Sequence, residues 1–237
     1  MLGTGNMMHM PLLISSILTH AVENNPEQEI VTALDNGELH RYSYLEFAHR
    51  VQDLALGLRR EGLQPGERVA TLAWNTYRHL EIYYATSGIG LICHTVNPRL
   101  TREQIAFIIN DAQDTVMFYD ELFEEMVSYL RDHCPTVKQW VRMGSEAQGP
   151  LADEYESWLG NDTTGFEWPV FDENTASGLC YTSGTTGDPK GALYTHRSTL
   201  LHAYASAHPN ALCIASADAV MPLVPMFHVN AWGLPYS

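Results

Sequence analysis

Apolar residues follow two different periods along most of this chain. Short apolar runs of strand length recur at residues 68–74, 91–96, 115–119 and 137–143. Between these runs the apolar residues recur every three or four positions, which predicts helices at 77–88, 101–112 and 122–132. Strands that alternate with helices of this length favour a mainly parallel sheet covered by helices on both faces. The pattern therefore predicts an α/β protein.

Two capping boxes mark the starts of predicted helices. Ser43 is followed three residues later by Glu46, and Thr101 is followed by Gln104 in the same way. Gly62 is expected to end the first of these helices. Beyond residue 175 the pattern predicts a strand at 177–182, a return strand at 191–195, a helix at 196–207 and a further strand at 219–226. The apolar run 11–18 is too short to span a membrane and predicts a helix that docks on the body.

The segment 144–175 differs from the rest of the chain in its charge. It carries eight acidic residues and no lysine or arginine. A run of like charge is typical of a solvated connector. We therefore expect an N-terminal α/β subdomain at 1–175, which ends in this connector, and the start of a second α/β subdomain at 176–237.

The charge and the cysteine content limit the classes of binding partner and the cellular compartment that we expect for this chain. The net charge is −15, from 28 acidic and 13 basic residues, so the chain lacks the basic footprint that nucleic acid needs. The same charge disfavours docking on an anionic lipid face, and we expect at most peripheral membrane contact. The four cysteines are far apart, form no C-x-x-C pair and predict a reduced, cytoplasmic protein.

The richest chemical signal is the stretch 181–191, which reads Tyr-Thr-Ser-Gly-Thr-Thr-Gly-Asp-Pro-Lys-Gly. Glycines let several backbone N–H groups converge on one anion, and the hydroxyl groups and Lys190 add donors and a positive charge. Gly184 and Gly187 lie three residues apart, and Lys190 follows three later, so this is not a Walker A loop. A polar surface turn is the alternative, but the combination favours a loop that binds polyphosphate.

A second motif follows at 221–236, where the chain reads Met-Pro-Leu-Val-Pro-Met-Phe-His-Val-Asn-Ala-Trp-Gly-Leu-Pro-Tyr. Together with the stretch His-Thr-Val-Asn-Pro-Arg-Leu at 94–100 and the Trp74-Asn75 turn, these motifs resemble the adenylate-forming superfamily. The residues of these motifs are most similar to those of medium- and long-chain fatty acyl-CoA synthetases (ligases). The resemblance implies the acyl-CoA synthetase/luciferase-like fold, present here only as the incomplete N-terminal domain, because the later motifs of the superfamily have no counterpart in the chain.

The resemblance also implies roles for individual residues. The phosphate-binding set would be Thr182, Ser183, Gly184, Thr185, Thr186, Gly187 and Lys190. Thr182 would also contact Mg²⁺ through its hydroxyl oxygen. His228, Val229 and Trp232 would line the acyl and adenylate pocket, although core packing remains the alternative for His228 and Trp232. His196 and Arg197 are expected at the surface, where a helix begins.

The reaction implied by the resemblance is the ATP-dependent activation of a fatty acid to acyl-adenylate and then acyl-CoA, with Mg²⁺ and with CoA as co-substrate. An aryl-CoA ligase, another adenylate-forming enzyme, a noncatalytic nucleotide-phosphate-binding module and an unrelated phosphate-binding sheet protein are the alternatives. We expect the 237-residue chain to be inactive alone and to self-associate through unpaired strand edges. Whether the whole enzyme is a homodimer stays open.

Overall fold

The computed structural model describes residues 5–34, 37–144, 153–182 and 188–237. Its longer helices are α1 (Ser15–Asn24), α2 (Tyr44–Arg60), α3 (Tyr77–Gly88), α4 (Arg102–Ala112), α5 (Glu124–His133) and α6 (His196–Ala207). Its strands are β1 (Glu29–Ala33), β2 (Leu39–Ser43), β3 (Arg68–Leu72), β4 (Ile92–Thr95), β5 (Val116–Asp120), β6 (Gln139–Met143), β7 (Asp153–Glu154), β8 (Ala176–Tyr181) and β9 (Gly191–Thr195). None of the helices in the described ranges is both long enough and apolar enough to span a bilayer.

A seven-stranded sheet forms the centre of the molecule, in the order β7-β6-β5-β3-β4-β8-β9. Its strands are parallel except for the antiparallel β8–β9 pair. Successive strand residues face opposite sides of a sheet. Val69 and Phe118 accordingly pack in the core with α2 and α3, whereas Ala70 and Met117 pack in the core with α4 and α5. The predicted α/β class, a mainly parallel sheet with helices on both faces, is confirmed.

Both predicted capping boxes are present. The Ser43 hydroxyl accepts from the Glu46 N–H at 3.2 Å, and the Ser43 N–H donates to the Glu46 carboxylate at 2.7 Å. Thr101 and Gln104 make the equivalent pair at the start of α4, at 3.3 and 3.1 Å. Gly62 follows α2 with φ +83°, a conformation that ends helices and favours glycine.

The first two strands were not predicted. β1 and β2 form a separate antiparallel hairpin in which Thr32 and Tyr42 are the only fully buried residues of the two strands. With one buried side chain per strand, the hairpin lacks the apolar run by which the strands of the large sheet are recognised.

The described part of the acidic segment, residues 153–175, is anchored to the body by aromatic side chains. Tyr155 and Trp158 are buried, and the Trp168 ring lies so close to α3 that a Cβ on Gly88 would come within 2.4 Å of it. Four of the acidic side chains stay exposed, namely Glu156, Asp162, Glu167 and Asp172. The predicted division between residues 175 and 176 remains a prediction, although β8 pairs with β4 within the same sheet.

Two predictions about the later part of the chain are wrong. Residues 219–226 form no strand, because the backbone of residues 222–226 is hydrogen-bonded to the Asn75 side chain and not to a neighbouring strand. His196 is fully buried instead of exposed, and its Nδ1 accepts from the Ile14 N–H at 3.2 Å. This bond fixes the segment that leads into α1, so the predicted docking of the N-terminal helix is confirmed. Arg197 is exposed and pairs with Glu173.

Candidate functional site

The β8–β9 hairpin brings the two ends of the predicted phosphate loop together. The Thr182 N–H donates to the Lys190 carbonyl at 3.0 Å, and the Lys190 N–H donates to the Thr182 hydroxyl at 3.2 Å. Both residues are exposed. The remaining residues of the predicted set lie outside the described residues; they are Ser183, Gly184, Thr185, Thr186 and Gly187. The predicted strand–loop–strand arrangement is therefore present, with its lysine and its first threonine side by side at the base.

The loop leaves the sheet at the carboxyl ends of the parallel strands. β8 runs parallel to β4, and Cys180 lies opposite Thr95 in their register. Ligands of open parallel sheets bind in the crevice outside this edge. The second sequence motif reaches the same edge, because the Thr95 hydroxyl donates to the Phe227 carbonyl at 3.4 Å and Cys180 Sγ donates to Asn230 Oδ1 at 3.4 Å. The fold thus brings the second motif to the strand end from which the loop leaves, although 30 positions separate Gly191 from Met221.

Asn75, at the carboxyl end of β3, makes three hydrogen bonds to the second motif. Its Nδ2 donates to the carbonyls of Pro222 and Val224, each at 3.1 Å. Its Oδ1 accepts from the Met226 N–H at 2.6 Å. The segment is thereby tied to the same edge of the sheet as the loop.

A buried polar cluster holds the next residues in place. The Tyr83 hydroxyl donates to the Met226 carbonyl at 2.5 Å and lies 3.3 Å from Asn230 Oδ1. Burial raises the pKa of the Cys180 thiol, which therefore remains protonated near neutral pH and serves as a donor to Asn230. Cys180 thus has a structural role, and the same burial argues against a nucleophilic one.

The residues predicted to line the acyl pocket lie on a left-handed turn. The φ angles of Val229, Asn230, Ala231 and Trp232 are +50°, +49°, +48° and +60°. This conformation costs about 1–2 kcal/mol for each L-residue and is especially unusual for a β-branched one such as Val229. Strain of this kind persists where surrounding contacts impose it, and it is enriched at functional sites.

The turn decides which side chains face the protein. Asn230 and Ala231 are buried, whereas His228, Val229 and Trp232 are exposed, Val229 by 40% and Trp232 by 66%. Within this chain His228 and Trp232 therefore do not pack in the core, and their place in the acyl and adenylate pocket stays a prediction. His202 Nε2 lies 2.8 Å from the Trp232 carbonyl and fixes the end of the turn to α6. Asn230 was missed by the sequence analysis, although asparagine is one of the few residues that tolerates this conformation well.

The Thr182 hydroxyl lies exposed at the base of the loop, and its oxygen is of the kind that Mg²⁺ accepts as a ligand. Magnesium keeps several waters and takes substrate phosphates with one or two protein ligands, so this donor fits such an ion. Across the described ranges, no three His, Cys, Asp or Glu side chains lie together as a metal site. The described residues therefore fit an ion that arrives with its phosphate ligand.

The AMP-binding enzyme family matches residues 18–236. The chain therefore belongs to this family of adenylate-forming enzymes. It is 51% identical, over 98% of its length, to the 3-methylmercaptopropionyl-CoA ligase of Ruegeria lacuscaerulensis. Over the same share it is 46% identical to the medium-chain-fatty-acid–CoA ligase of Ectopseudomonas oleovorans. The chain spans 44% of the length of each of these two curated relatives.

A solved structure shows the same fold. The long-chain-fatty-acid-CoA ligase of Archaeoglobus fulgidus superposes with a TM-score of 0.84, over 100% of this chain and 47% of that one, at 21% identity. The resemblance to medium- and long-chain fatty acyl-CoA ligases and the predicted N-terminal part of the acyl-CoA synthetase fold are confirmed.

Proposed function

We propose that this chain provides the phosphate-binding and acyl-binding part of an AMP-forming acyl-CoA ligase. The observation that carries the proposal is that the second motif meets the sheet edge from which the phosphate loop leaves, through the bonds of Thr95 and Cys180 to Phe227 and Asn230. The membership of the chain in the AMP-binding enzymes and its identity to two acyl-CoA ligases support it.

The proposed reaction has two steps. A carboxylate oxygen attacks the α-phosphorus of ATP, and the bond from that phosphorus to the bridging oxygen breaks to release pyrophosphate. The sulfur of CoA then attacks the acyl carbon, AMP leaves, and the thiol proton is lost. Both steps need positioning and stabilisation of negative charge, which Lys190 and the 182–187 loop would give to the β- and γ-phosphates. A magnesium ion held in part by Thr182 would share the charge of the phosphates.

A medium-chain fatty acid is the substrate that we propose first, because the motifs resemble those of medium- and long-chain ligases and a relative named for the medium-chain activity is 46% identical. A short thioether acid such as 3-methylmercaptopropionate is a second candidate, since the ligase named for it is 51% identical. Val229 and Trp232 offer apolar surface to either acyl chain. Aryl-CoA ligases and noncatalytic phosphate-binding modules remain the alternatives.

A hybrid enzyme tests the reaction. Residues 18–236 replace the matching segment of the Ectopseudomonas oleovorans ligase, and decanoyl-CoA is measured with ATP, Mg²⁺, CoA and decanoate. We expect activity, and we expect Lys190→Ala to lower kcat/KM for ATP at least about tenfold through loss of a charge-assisted contact. Lys138, the other lysine of the chain, is exposed on the surface, and Lys138→Ala is the matched control. A folded hybrid without thioester product would overturn the proposal.

Two hosts separate the substrate candidates. The same segment placed in the Ectopseudomonas oleovorans and Ruegeria lacuscaerulensis ligases should give hybrids with one shared preference if residues 228–232 select the acid. If each hybrid keeps the acid preference of its host enzyme, the residues of the host select the acid. The 237-residue chain alone should form no decanoyl-CoA, because it spans 44% of its relatives' length; product from the chain alone would contradict this.

We also propose that the chain self-associates and acts in the cytoplasm. β9 lies at the edge of the described sheet, and its Leu193 is 61% exposed. Met221 and Leu223, at the start of the second motif, are also exposed. All four cysteines are free, which supports a reducing compartment. Light scattering at increasing concentration tests self-association, and cell fractionation tests the location; a monodisperse monomer or a membrane-bound protein would contradict the respective proposal.

A further inference from the structure

The backbone of residues 222–226 is paired with a side chain as a strand is paired with its neighbour. In a parallel ladder, one residue donates to the carbonyl of residue j−1 on the next strand and accepts from the N–H of residue j+1. The carboxamide of Asn75 does this around Pro225, since it donates to the Val224 carbonyl and accepts from the Met226 N–H. It also donates to the Pro222 carbonyl, two residues earlier on the same edge.

Asn75 is itself held rigidly. It lies three residues beyond the end of β3, and the next residue, Thr76, caps α3 by accepting from the His79 N–H. On the other side, the Trp74 N–H donates to the Asp120 carboxylate at 2.7 Å, and the Trp74 ring contacts Phe227 edge-on at 5.4 Å between centroids. The side-chain amide therefore extends from a fixed point between a strand and a helix.

The pairing with Asn75 fixes the position of the residues that follow Met226. Immediately beyond Met226, the Phe227 carbonyl accepts from Thr95, and His228 leads into the strained turn at 229–232. A left-handed turn of four non-glycine residues does not hold its own place, because its conformation is unfavourable for each residue. Its entry must be fixed by neighbours, and Asn75 supplies three of the hydrogen bonds that do so.

We propose that Asn75 is a positioning residue that places His228 and the 229–232 turn at the sheet edge from which the phosphate loop leaves. Its importance for chemistry rests on the proposed function, whereas the placement itself is a property of this chain. The three hydrogen bonds of Asn75 to the second motif go to backbone atoms, so its effect on the reaction would pass through residues 226–232.

Hydrogen exchange of the 237-residue chain tests the placement. Asn75→Ala removes the acceptor of the Met226 N–H, so exchange at Met226 should accelerate at least about tenfold while β3 and α3 keep their protection. Asn75→Asp keeps an acceptor for Met226 and loses the two donors, so it should retain most of that protection. Asn110→Ala is the matched control, because it removes another asparagine that donates to a carbonyl, that of His133.

The paired variants separate the proposal from a simple packing role. Asn75→Leu keeps roughly the volume of the side chain and removes all three hydrogen bonds. A packing role would leave exchange at Met226 unchanged in Asn75→Leu, and this result would overturn the proposal, as would unchanged exchange at Met226 in Asn75→Ala. If Asn75→Ala unfolds the chain, Asn75→Leu and Asn75→Asp decide: faster exchange at Met226 in Asn75→Leu than in Asn75→Asp supports the pairing, and equal exchange rejects it.

The hybrid enzyme tests the consequence for chemistry. Asn75→Ala should lower kcat for decanoyl-CoA formation at least about tenfold with less than about threefold change in KM for ATP, because the phosphate loop keeps its own anchors. An unchanged kcat would overturn the catalytic consequence. A hybrid that is inactive before substitution would count against the proposed function, and the exchange result on the chain would still decide the placement.

Discussion

Arg50 and Glu81 form a two-point ion pair, with Nε 2.7 Å from Oε1 and Nη2 3.2 Å from Oε2. Glu81 is fully buried in α3 and also accepts from the hydroxyls of Tyr42 at 3.1 Å and Tyr155 at 2.6 Å. A single carboxylate thus joins α2, α3, the β1–β2 hairpin and the acidic segment. Removing Arg50 would leave this buried charge without its cation.

We predict that Arg50→Ala lowers the free energy of unfolding by about 3 kcal/mol, since removing one partner of a buried pair leaves an uncompensated charge. Urea titration followed by far-UV circular dichroism measures the change. Arg41→Ala is the matched control, because Arg41 pairs with Glu29 on the exposed hairpin at 3.0 Å and should cost less than about 1 kcal/mol. Equal losses for the two variants would contradict the assignment of the buried network.

The stability should decrease as the pH falls below 6.5. Burial lowers the pKa of His79 to about 4 from 6.5, and its ring lies between the Thr71 hydroxyl and the Trp74 carbonyl, each at 2.9 Å. Between pH 6.5 and 4 the unfolded chain binds the extra proton, so the free energy of unfolding falls with decreasing pH and is insensitive to this group above 6.5. His196 adds the same trend, since burial lowers its pKa to about 4.

Urea titrations between pH 4 and 7 measure this slope. His79→Gln should reduce it by up to about 1.4 kcal/mol per pH unit, the value for one proton. His49 is exposed on α2, and His49→Gln serves as the control that should leave the slope unchanged. A slope that survives the His79 substitution intact would show that other groups cause the acid sensitivity.

Gly88→Ala should detach the aromatic anchor of the acidic segment. The added Cβ would meet the Trp168 ring at 2.4 Å, so either the ring or α3 must move. We expect a loss of about 1–3 kcal/mol of unfolding free energy, as for other overpacked sites, and faster proteolysis within residues 160–170. Gly5→Ala is the control, because a Cβ there meets nothing within 4 Å. Proteolysis at the wild-type rate would refute the close approach.

The parts of the fold that local sequence pattern predicts are those that form from local interactions. The capping boxes of Ser43 and Thr101 were correctly assigned because both partners lie within one turn. The strands β3 to β6 were found because each is an apolar run buried on both faces. The β1–β2 hairpin was not predicted, because its largely exposed strands contain no such apolar run.

The errors in the site have a different cause. The extended form of residues 222–226 is fixed by Asn75, which lies 151 positions before Met226 in the chain, and no local pattern reports a contact of that range. In the following turn the positive φ angles bury Asn230 and expose Trp232. The sequence motif predicted which residues belong to the site, but the direction in which their side chains face follows from the backbone geometry.

The edge of the sheet provides a test of self-association. Leu193 lies on β9 and is 61% exposed, and an unpaired edge with an apolar side chain invites pairing with a second copy. Lys at this position adds a charge of the kind that natural edge strands use against pairing. We predict that Leu193→Lys shifts the mass measured by light scattering toward the monomer. Leu39→Lys, on the separate hairpin and similarly exposed, is the control and should keep the wild-type mass. If Leu193→Lys also keeps it, the association does not use β9.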